Sequence, residues 1–184
     1  MSSFYPQESL TNIIWAPLDK GLKSISLSAN WMWPCNNPGE DARLYKAVEA
    51  ISDFSIALGI NVPTGKDSLS MKQKYKNEEV ISPGTVIITA AGHCKDIKKV
   101  VEPVLQKDKG SIYYINISQD NFKLGGSSFG QVLSSIGKEA PTVKNASYVA
   151  TVFNTIQGLI MEDQIASGHD LSLIHISEPT RPED

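Results

Sequence analysis

Cysteine is scarce in this sequence, which excludes a disulfide-stapled fold. Cys35 and Cys94 are the only two among 184 residues and stand far apart, which fits a reducing compartment. Histidine is equally sparse, and neither His93 nor His175 has a partner at metal-ligand spacing, so no zinc site is expected. There is no excess of positive charge: 17 Lys and Arg against 20 Asp and Glu give a formal net charge of -3. A basic face that could recruit nucleic acid is therefore not expected. Charges of both signs are mixed along the chain rather than gathered into tails. No stretch approaches the roughly 20 apolar residues of a membrane span. Residues 1–10 contain no basic region leading into an apolar segment, so no secretion signal is expected and the cytoplasm is the expected location. Internal repeats and low-complexity tracts are also absent. What remains is a chain that is 41% hydrophobic and 20% charged, able to bury a core as one domain or two small ones.

Periodicity outlines the elements. Residues 6–15 read as a short helix. Residues 24–29 alternate, with Ile25 and Leu27 set against Ser24, Ser26 and Ser28, the period of a half-buried strand. Leu44, Ala47, Val48, Ile51, Phe54, Ser55 and Leu58 recur at helical spacing. Glu40 and Asp41 sit at the positive end of that helix dipole, and Gly59 is its natural stop. Residues 61–67 read as a loop, 68–75 as a strand, and the β-branched run 85–91 as a buried strand. Residues 96–105 read as a helix broken at Pro103. The charged, turn-rich Lys107-Asp108-Lys109-Gly110 suggests a domain boundary. Beyond it a strand is expected at 111–117, a helix from Gly125-Gly126-Ser127-Ser128 through Ile136, and an amphipathic helix over 147–161. The class is α+β, a mixed α/β arrangement in two pieces.

Four constellations could carry chemistry. Thr64-Gly65-Lys66-Asp67-Ser68 invites comparison with a phosphate-binding P-loop, but five residues rather than four separate Gly59 from Gly65, and Asp67 takes the hydroxyl position. Its glycine, lysine and serine could still hold a phosphate, or form an ordinary polar turn. Glu8 and Asn12 share one helix face at i and i+4. They are oxygen donors of the kind magnesium takes, or simply a solvated face. His169-Asp170 follows Ala166-Ser167-Gly168 and could orient a base, bind a metal or cap a turn. Gly125-Gly126-Ser127-Ser128 could present backbone N–H groups to an anion or pack tightly at a helix start. Neither Cys35 nor Cys94 has the surroundings of a nucleophile, and both read as structural.

Several longer motifs, taken in order, resemble one family. They are Glu8-Ser9-Leu10-Thr11-Asn12-Ile13, Ser26-Leu27-Ser28-Ala29-Asn30-Trp31-Met32-Trp33-Pro34, Pro38-Gly39-Glu40-Asp41-Ala42, Pro63-Thr64-Gly65-Lys66-Asp67-Ser68-Leu69-Ser70-Met71, Ser82-Pro83-Gly84-Thr85-Val86-Ile87-Ile88-Thr89-Ala90, Lys123-Leu124-Gly125-Gly126-Ser127 and Gly168-His169-Asp170. Together they are similar to phosphoribosylformylglycinamidine synthase in its large single-chain form, over roughly residues 8–170. The resemblance is to the second of that family's two aminoimidazole-ribonucleotide-synthetase-like units. It implies residues 1–107 as the end of a synthetase-like N-terminal domain and 108–170 as part of its C-terminal domain. It also implies an ATP-dependent amidoligase that converts formylglycinamide ribonucleotide, with glutamine as nitrogen donor, to the amidine in purine biosynthesis. The implied cofactors are Mg2+ and ATP or ADP. The implied partners are the substrate and the remaining domains of the same chain, a glutaminase domain among them, with neither nucleic acid nor membrane.

By the same resemblance Glu8, Asn12 and Asp170 match magnesium ligands. Gly65, Lys66 and Ser68 match a loop facing substrate or nucleotide phosphate, and Ser172 matches a serine near the nucleotide. No catalytic residue is identified. After Asp170 the family pattern is lost, and Leu171-Ser172-Leu173-Ile174-His175-Ile176-Ser177-Glu178-Pro179-Thr180-Arg181 reads like a translated sequencing adapter, so 171–184 is expected to be non-native. Residues 1–7 also depart from the family. A piece of this extent is expected to leave the apolar faces of helices 127–136 and 147–161 uncovered, and to lack synthase activity by itself. The alternatives are a non-catalytic, nucleotide-holding structural module of that enzyme, or another member of the same ATP-dependent synthetase superfamily.

Overall fold

Alternating apolar residues, Leu27 and Ala29 buried between the partly exposed Ser26, Ser28 and Asn30, make β1 (Ser26–Met32) the middle strand of a three-stranded sheet. The computed structural model describes residues 4–121 and 123–171. Before β1 come α1 (Phe4–Ile13) and a 3₁₀ turn, Gly21–Ser24; after it comes α2 (Glu40–Leu58). The chain continues with β2 (Asn61–Ser68), a separate two-stranded hairpin of β3 (Lys72–Lys74) and β4 (Glu79–Ile81), and β5 (Thr85–Ala91). A second 3₁₀ turn, Ile97–Lys99, then leads to α3 (Ser128–Val132) and α4 (Ala146–Met161). The architecture is α+β, as the sequence implied. Strand order is β2-β1-β5, with β2 parallel and β5 antiparallel to β1.

The helix over 40–58 forms as its periodicity requires, burying Ala47, Ile51, Phe54, Ser55 and Leu58 along one stripe. Gly59, at φ 69°, ends it, with Gly59 N–H donating to Ile56 O and Ile60 N–H to Ser55 O, both at 3.0 Å. This is the paired-bond stop that satisfies the last carbonyls and favours glycine in the left-handed region. The core gathers Leu10 and Ile14 from the α1 region, Leu22, Ile25 and Leu27 near β1, Phe54 and Leu58 from α2, and Val149, Phe153, Ile156 and Ile160 from α4. Fully burying each such side chain contributes about 1.5–3 kcal/mol.

Several sequence expectations are corrected. Residues 61–67 are not a loop but most of β2, because their backbone pairs with β1 from Ser26↔Asn61 to Met32↔Ser68. The strand expected over 68–75 is confined to β3. The strand at 85–91 is buried on one side only: Val86, Ile88 and Ala90 face inward while Ile87 is 52% exposed. One core-facing and one open face is the usual state of antiparallel pairing. Residues 96–105 are not a helix beyond one 3₁₀ turn. Val101 N–H donates to Trp15 O at 2.9 Å and Glu102 O accepts from Gly168 N–H at 3.1 Å, so these backbone groups are committed elsewhere. Residues 111–117 contain no strand; their β-branched and aromatic side chains lack a partner ladder, and Ile112 and Tyr113 are more than 80% exposed. The helix expected through Ile136 stops at Val132, with Ser134 at φ 53°.

Of the two helical faces expected to be uncovered, only one is. Around α3, Phe129, Val132, Leu133 and Ile136 are 47–79% exposed. The apolar face of α4 is instead closed against α2 and the first 3₁₀ turn, with Phe153 and Ile160 each at 2% exposure. Residues from both expected pieces thus share one core.

Candidate functional site

In α1, residues at helical spacing face two ways. Gln7, Leu10 and, just past the helix, Ile14 go inward, while Glu8, Ser9, Asn12 and Ile13 front β5. Between them and residues 86–90 of β5 lies an open cleft of about 590 Å³. Asn12 Nδ2 donates to Glu8 O at 2.9 Å, tying the two residues one turn apart, and to Asp170 Oδ2 at 3.2 Å. That second bond joins residues 158 positions apart in the chain. The Asp170 side chain is 8% exposed, and its other oxygen, Oδ1, lies 3.3 Å from His169 Nδ1. The structure therefore brings Asn12 and Asp170 together, with Glu8 one helical turn away on the same face.

This donor set is chemically suited to a hard divalent cation. It offers two carboxylates and, with Asn12 Nδ2 engaged by Asp170, an amide oxygen left to coordinate. Among the described residues no group of three His, Cys, Asp or Glu could hold a metal; the set here depends on an asparagine.

Gly65, Lys66 and Ser68 lie elsewhere. They sit on β2, paired with Ala29, Asn30 and Met32 of β1, so that β1 stands between them and the strand lining the cleft. At the usual spacing of strands β2 is about 10 Å from β5. A packing reason accounts for Gly65: a Cβ there would lie 2.1 Å from Ala29 O. Ser172 and His175 lie outside the described residues.

Gly125-Gly126-Ser127-Ser128 takes the packing reading rather than the anion reading. Gly125 N–H donates to Glu139 O and Gly126 N–H to Ile136 O, both at 2.8 Å, and Ser127 caps α3 by accepting from Gly130 N–H at 3.1 Å. Those amides are already used. Cys35 and Cys94 are both free thiols. Burial, then the carboxylates of Asp41, Glu40 and Asp67, push the Cys35 thiol up, away from a nucleophilic thiolate.

Two positioning features escaped the sequence reading. Gln157, 7% exposed on the apolar face of α4, accepts from Leu18 N–H at 2.7 Å and donates to Ile14 O at 2.6 Å and Ala16 O at 3.0 Å. It fastens the segment that follows α1 to α4. A glutamine inside the stripe Val152, Phe153, Ile156 and Ile160 was the available signal. The other is Asp120, whose 4% exposed side chain accepts from Thr142 Oγ1 and lies 2.8 Å from Lys144 Nζ and 3.2 Å from Lys123 Nζ. The hydrogen bond and charge of Lys144, then Thr142 and the Asn121 N–H, hold its carboxyl well below the usual carboxylate range.

Among the described residues no helix is long and apolar enough to cross a membrane. Residues 4–93 match the FGAR-AT PurM_N-like domain. The chain is 38% identical over 167 residues to a probable phosphoribosylformylglycinamidine synthase, chloroplastic/mitochondrial, of Arabidopsis thaliana, an alignment covering 90% of this chain and 12% of the relative. It is 39% identical over 177 residues to a probable phosphoribosylformylglycinamidine synthase of Caenorhabditis elegans, covering 90% of this chain and 13% of the relative. The chain thus spans about an eighth of the length of these curated relatives.

Proposed function

Because the chain belongs to the phosphoribosylformylglycinamidine synthase family, we propose that its α1–β5 cleft holds a magnesium-bound adenine nucleotide, with Glu8, Asn12 and Asp170 supplying the metal's oxygen ligands. The observation that carries this reading is the 3.2 Å contact between Asn12 and Asp170 across 158 residues of chain. Bound there, the metal would screen nucleotide phosphate charge. Glu8 and Asp170 hold it electrostatically, and Asn12 adds a neutral oxygen while its Nδ2 keeps Asp170 in place. The nucleotide is ATP or ADP. Gly65, Lys66 and Ser68, on the far side of β1, are proposed to face a phosphate group of the substrate.

In the longer protein the proposed reaction is the ATP-dependent, glutamine-using conversion of formylglycinamide ribonucleotide to its amidine, within purine biosynthesis. The glutaminase function belongs to other domains of that chain, and this stretch by itself turns over neither substrate. Its proposed location is the cytoplasm, a reading supported by two free thiols.

A second reading, a nucleotide-holding scaffold without turnover, is favoured by the cleft's lining. Among the described residues that line it, Glu8 is joined by Ser9, Asn12, Thr89 and aliphatic groups, and the acid nearest to them, Asp170, is the one assigned to the metal.

The test is stabilisation of the 184-residue chain by ADP with Mg2+. Ligand at about 100 times its dissociation constant adds about 2.7 kcal/mol, which for a chain of this size raises Tm by roughly 5–10 °C. Glu8→Ala and Asp170→Ala are expected to abolish the shift. A wild-type chain without the shift, or variants that keep it, would overturn the site. In the full-length protein, loss of turnover with Glu8→Ala supports a working site, and intact turnover supports the scaffold.

A further inference from the structure

In the Asn12–Asp170 contact Asn12 is exposed, whereas the Asp170 side chain is enclosed at 8% exposure, so what holds Asp170 in place lies on its own side of the contact. A second contact runs beside it. Trp15 comes three residues after Asn12, and Gly168 two residues before Asp170, so the two pairs bridge the same two stretches of chain. At Gly168 the backbone packs close against the six-membered ring of the indole: an added Cβ would fall 2.1, 2.4 and 2.6 Å from Cζ3, Cε3 and Cη2 of Trp15. No side chain larger than hydrogen fits there.

The surrounding bonds hold both partners. Gly168 N–H donates to Glu102 O at 3.1 Å, and Val101 N–H donates to Trp15 O at 2.9 Å, so the 101–102 backbone is clamped between them. Gln106 Nε2 donates to Ala166 O at 3.1 Å. Lys99 Nζ donates to Met161 O at 2.7 Å and to Asp163 Oδ2 at 2.8 Å, anchoring the start of the segment that ends at Asp170. Trp15 Nε1 is buried with no partner among the described residues. The ring's placement is therefore set by packing rather than by a hydrogen bond of its own. Tight packing of this kind resists displacement, because a shift of even part of an ångström loses contacts or creates overlap.

We propose that Trp15 is a positioning residue: its ring, with the Glu102 carbonyl, forms a seat for Gly168 that sets where Asp170 stands relative to Asn12 and Glu8. This rests on the magnesium reading given above. It predicts that metal affinity depends on residues that touch no metal. Second-layer changes of this type typically cost roughly 10–100-fold in metal affinity.

The experiment uses the 184-residue chain with Gly168→Ala and Trp15→Leu, singly and combined. Two quantities are read: Mn2+ affinity with the metal alone, and the side-chain amide resonance of Asn12 in metal-free protein. Gly168→Ala is expected to move that resonance toward its position in Asp170→Ala and to weaken Mn2+ binding roughly 10–100-fold. In the double variant the smaller leucine makes room for the added methyl, and both quantities return toward wild type, a non-additivity that independent sites do not show. A merely structural role would lower thermal stability and leave the Asn12 resonance in place. The seat is refuted if folded Gly168→Ala keeps both the wild-type resonance and the wild-type affinity. Should Gly168→Ala fail to fold, Trp15→Leu alone decides: the resonance moves if the seat exists, and an unmoved resonance overturns it. A wild-type chain that binds no Mn2+, but whose Asn12 resonance still answers to Gly168→Ala, sinks the metal reading and leaves the seat standing.

Discussion

Replacing Gln157 by leucine tests whether one buried amide holds the segment bearing the site to the core. Gln157 serves three backbone groups, Leu18 N–H, Ile14 O and Ala16 O, at 2.6–3.0 Å. Leu18 and Ile14 are 6% and 2% exposed, so water has little access to replace the lost amide. Leucine has similar volume, and the change therefore isolates polar satisfaction from cavity formation. A buried donor or acceptor left without a partner costs about 1–3 kcal/mol. The Leu18 N–H carries the full penalty, the two carbonyls less, and the added apolar burial offsets part of it. The net expectation is about 3 kcal/mol. That is a large share of the roughly 5–15 kcal/mol that holds a domain folded, and at this chain length it lowers Tm by roughly 6–12 °C.

The assay is urea unfolding, read as a lower midpoint at unchanged slope. Gln157→Glu adds a pH signature. An ionised carboxylate can still accept from Leu18 N–H but faces the Ile14 and Ala16 carbonyls without a proton to donate. Its folded pKa is therefore raised above the unfolded value of about 4.3. The variant is then most stable below that value and loses stability as pH rises through the folded pKa. A Gln157→Leu midpoint within about 0.5 kcal/mol of wild type, the range of an ordinary surface change, would refute the claim that these bonds are needed.

Two further expectations follow from the packing and from Asp120. Phe153→Ala is expected to cost about 3–5 kcal/mol, since the ring is fully enclosed, while Phe129→Ala stays within about 0.5 kcal/mol because its ring is half exposed; equal losses in urea unfolding would contradict the burial of α4. Asp120 is held below the ordinary carboxylate range by Lys144, Thr142 and Asn121. Its contribution is therefore present above the unfolded value of about 3.9 and is lost as pH falls toward the folded pKa. Asp120→Asn should flatten the acid limb of the stability–pH curve below about pH 4, and an unchanged limb would remove Asp120 as its source.

What the sequence determined by itself was local and periodic. The stripe from Ala47 to Leu58 with its Gly59 stop, the face of α4, the inward side of β1, and the shared face of Glu8 and Asn12 all follow from repeats of 3.6 or 2 residues. Such repeats need no knowledge of distant chain. The family motifs likewise marked Glu8, Asn12 and Asp170 as a set, without showing what brings them near one another.

Tertiary structure decided whatever depended on a partner elsewhere. Residues 61–67 carry turn-forming glycine, proline and asparagine, yet become a strand because β1 offers a ladder. Residues 111–117 are rich in isoleucine and tyrosine, as strands are, and remain irregular because none is offered. Residues 96–105 lose their helix to bonds with Trp15 and Gly168. The face of α4 is covered because α2 and the first 3₁₀ turn meet it, and Gln157 is tolerated there only because three backbone groups converge on it. The Asn12–Asp170 contact is of the same kind. Its members were legible as residues, but their separation of 3.2 Å is set by how the 101–102 backbone, Trp15 and Gly168 stack. Hydrogen-bond pairing and close packing are long-range relations, and a one-dimensional pattern names the candidates without stating which of them will meet.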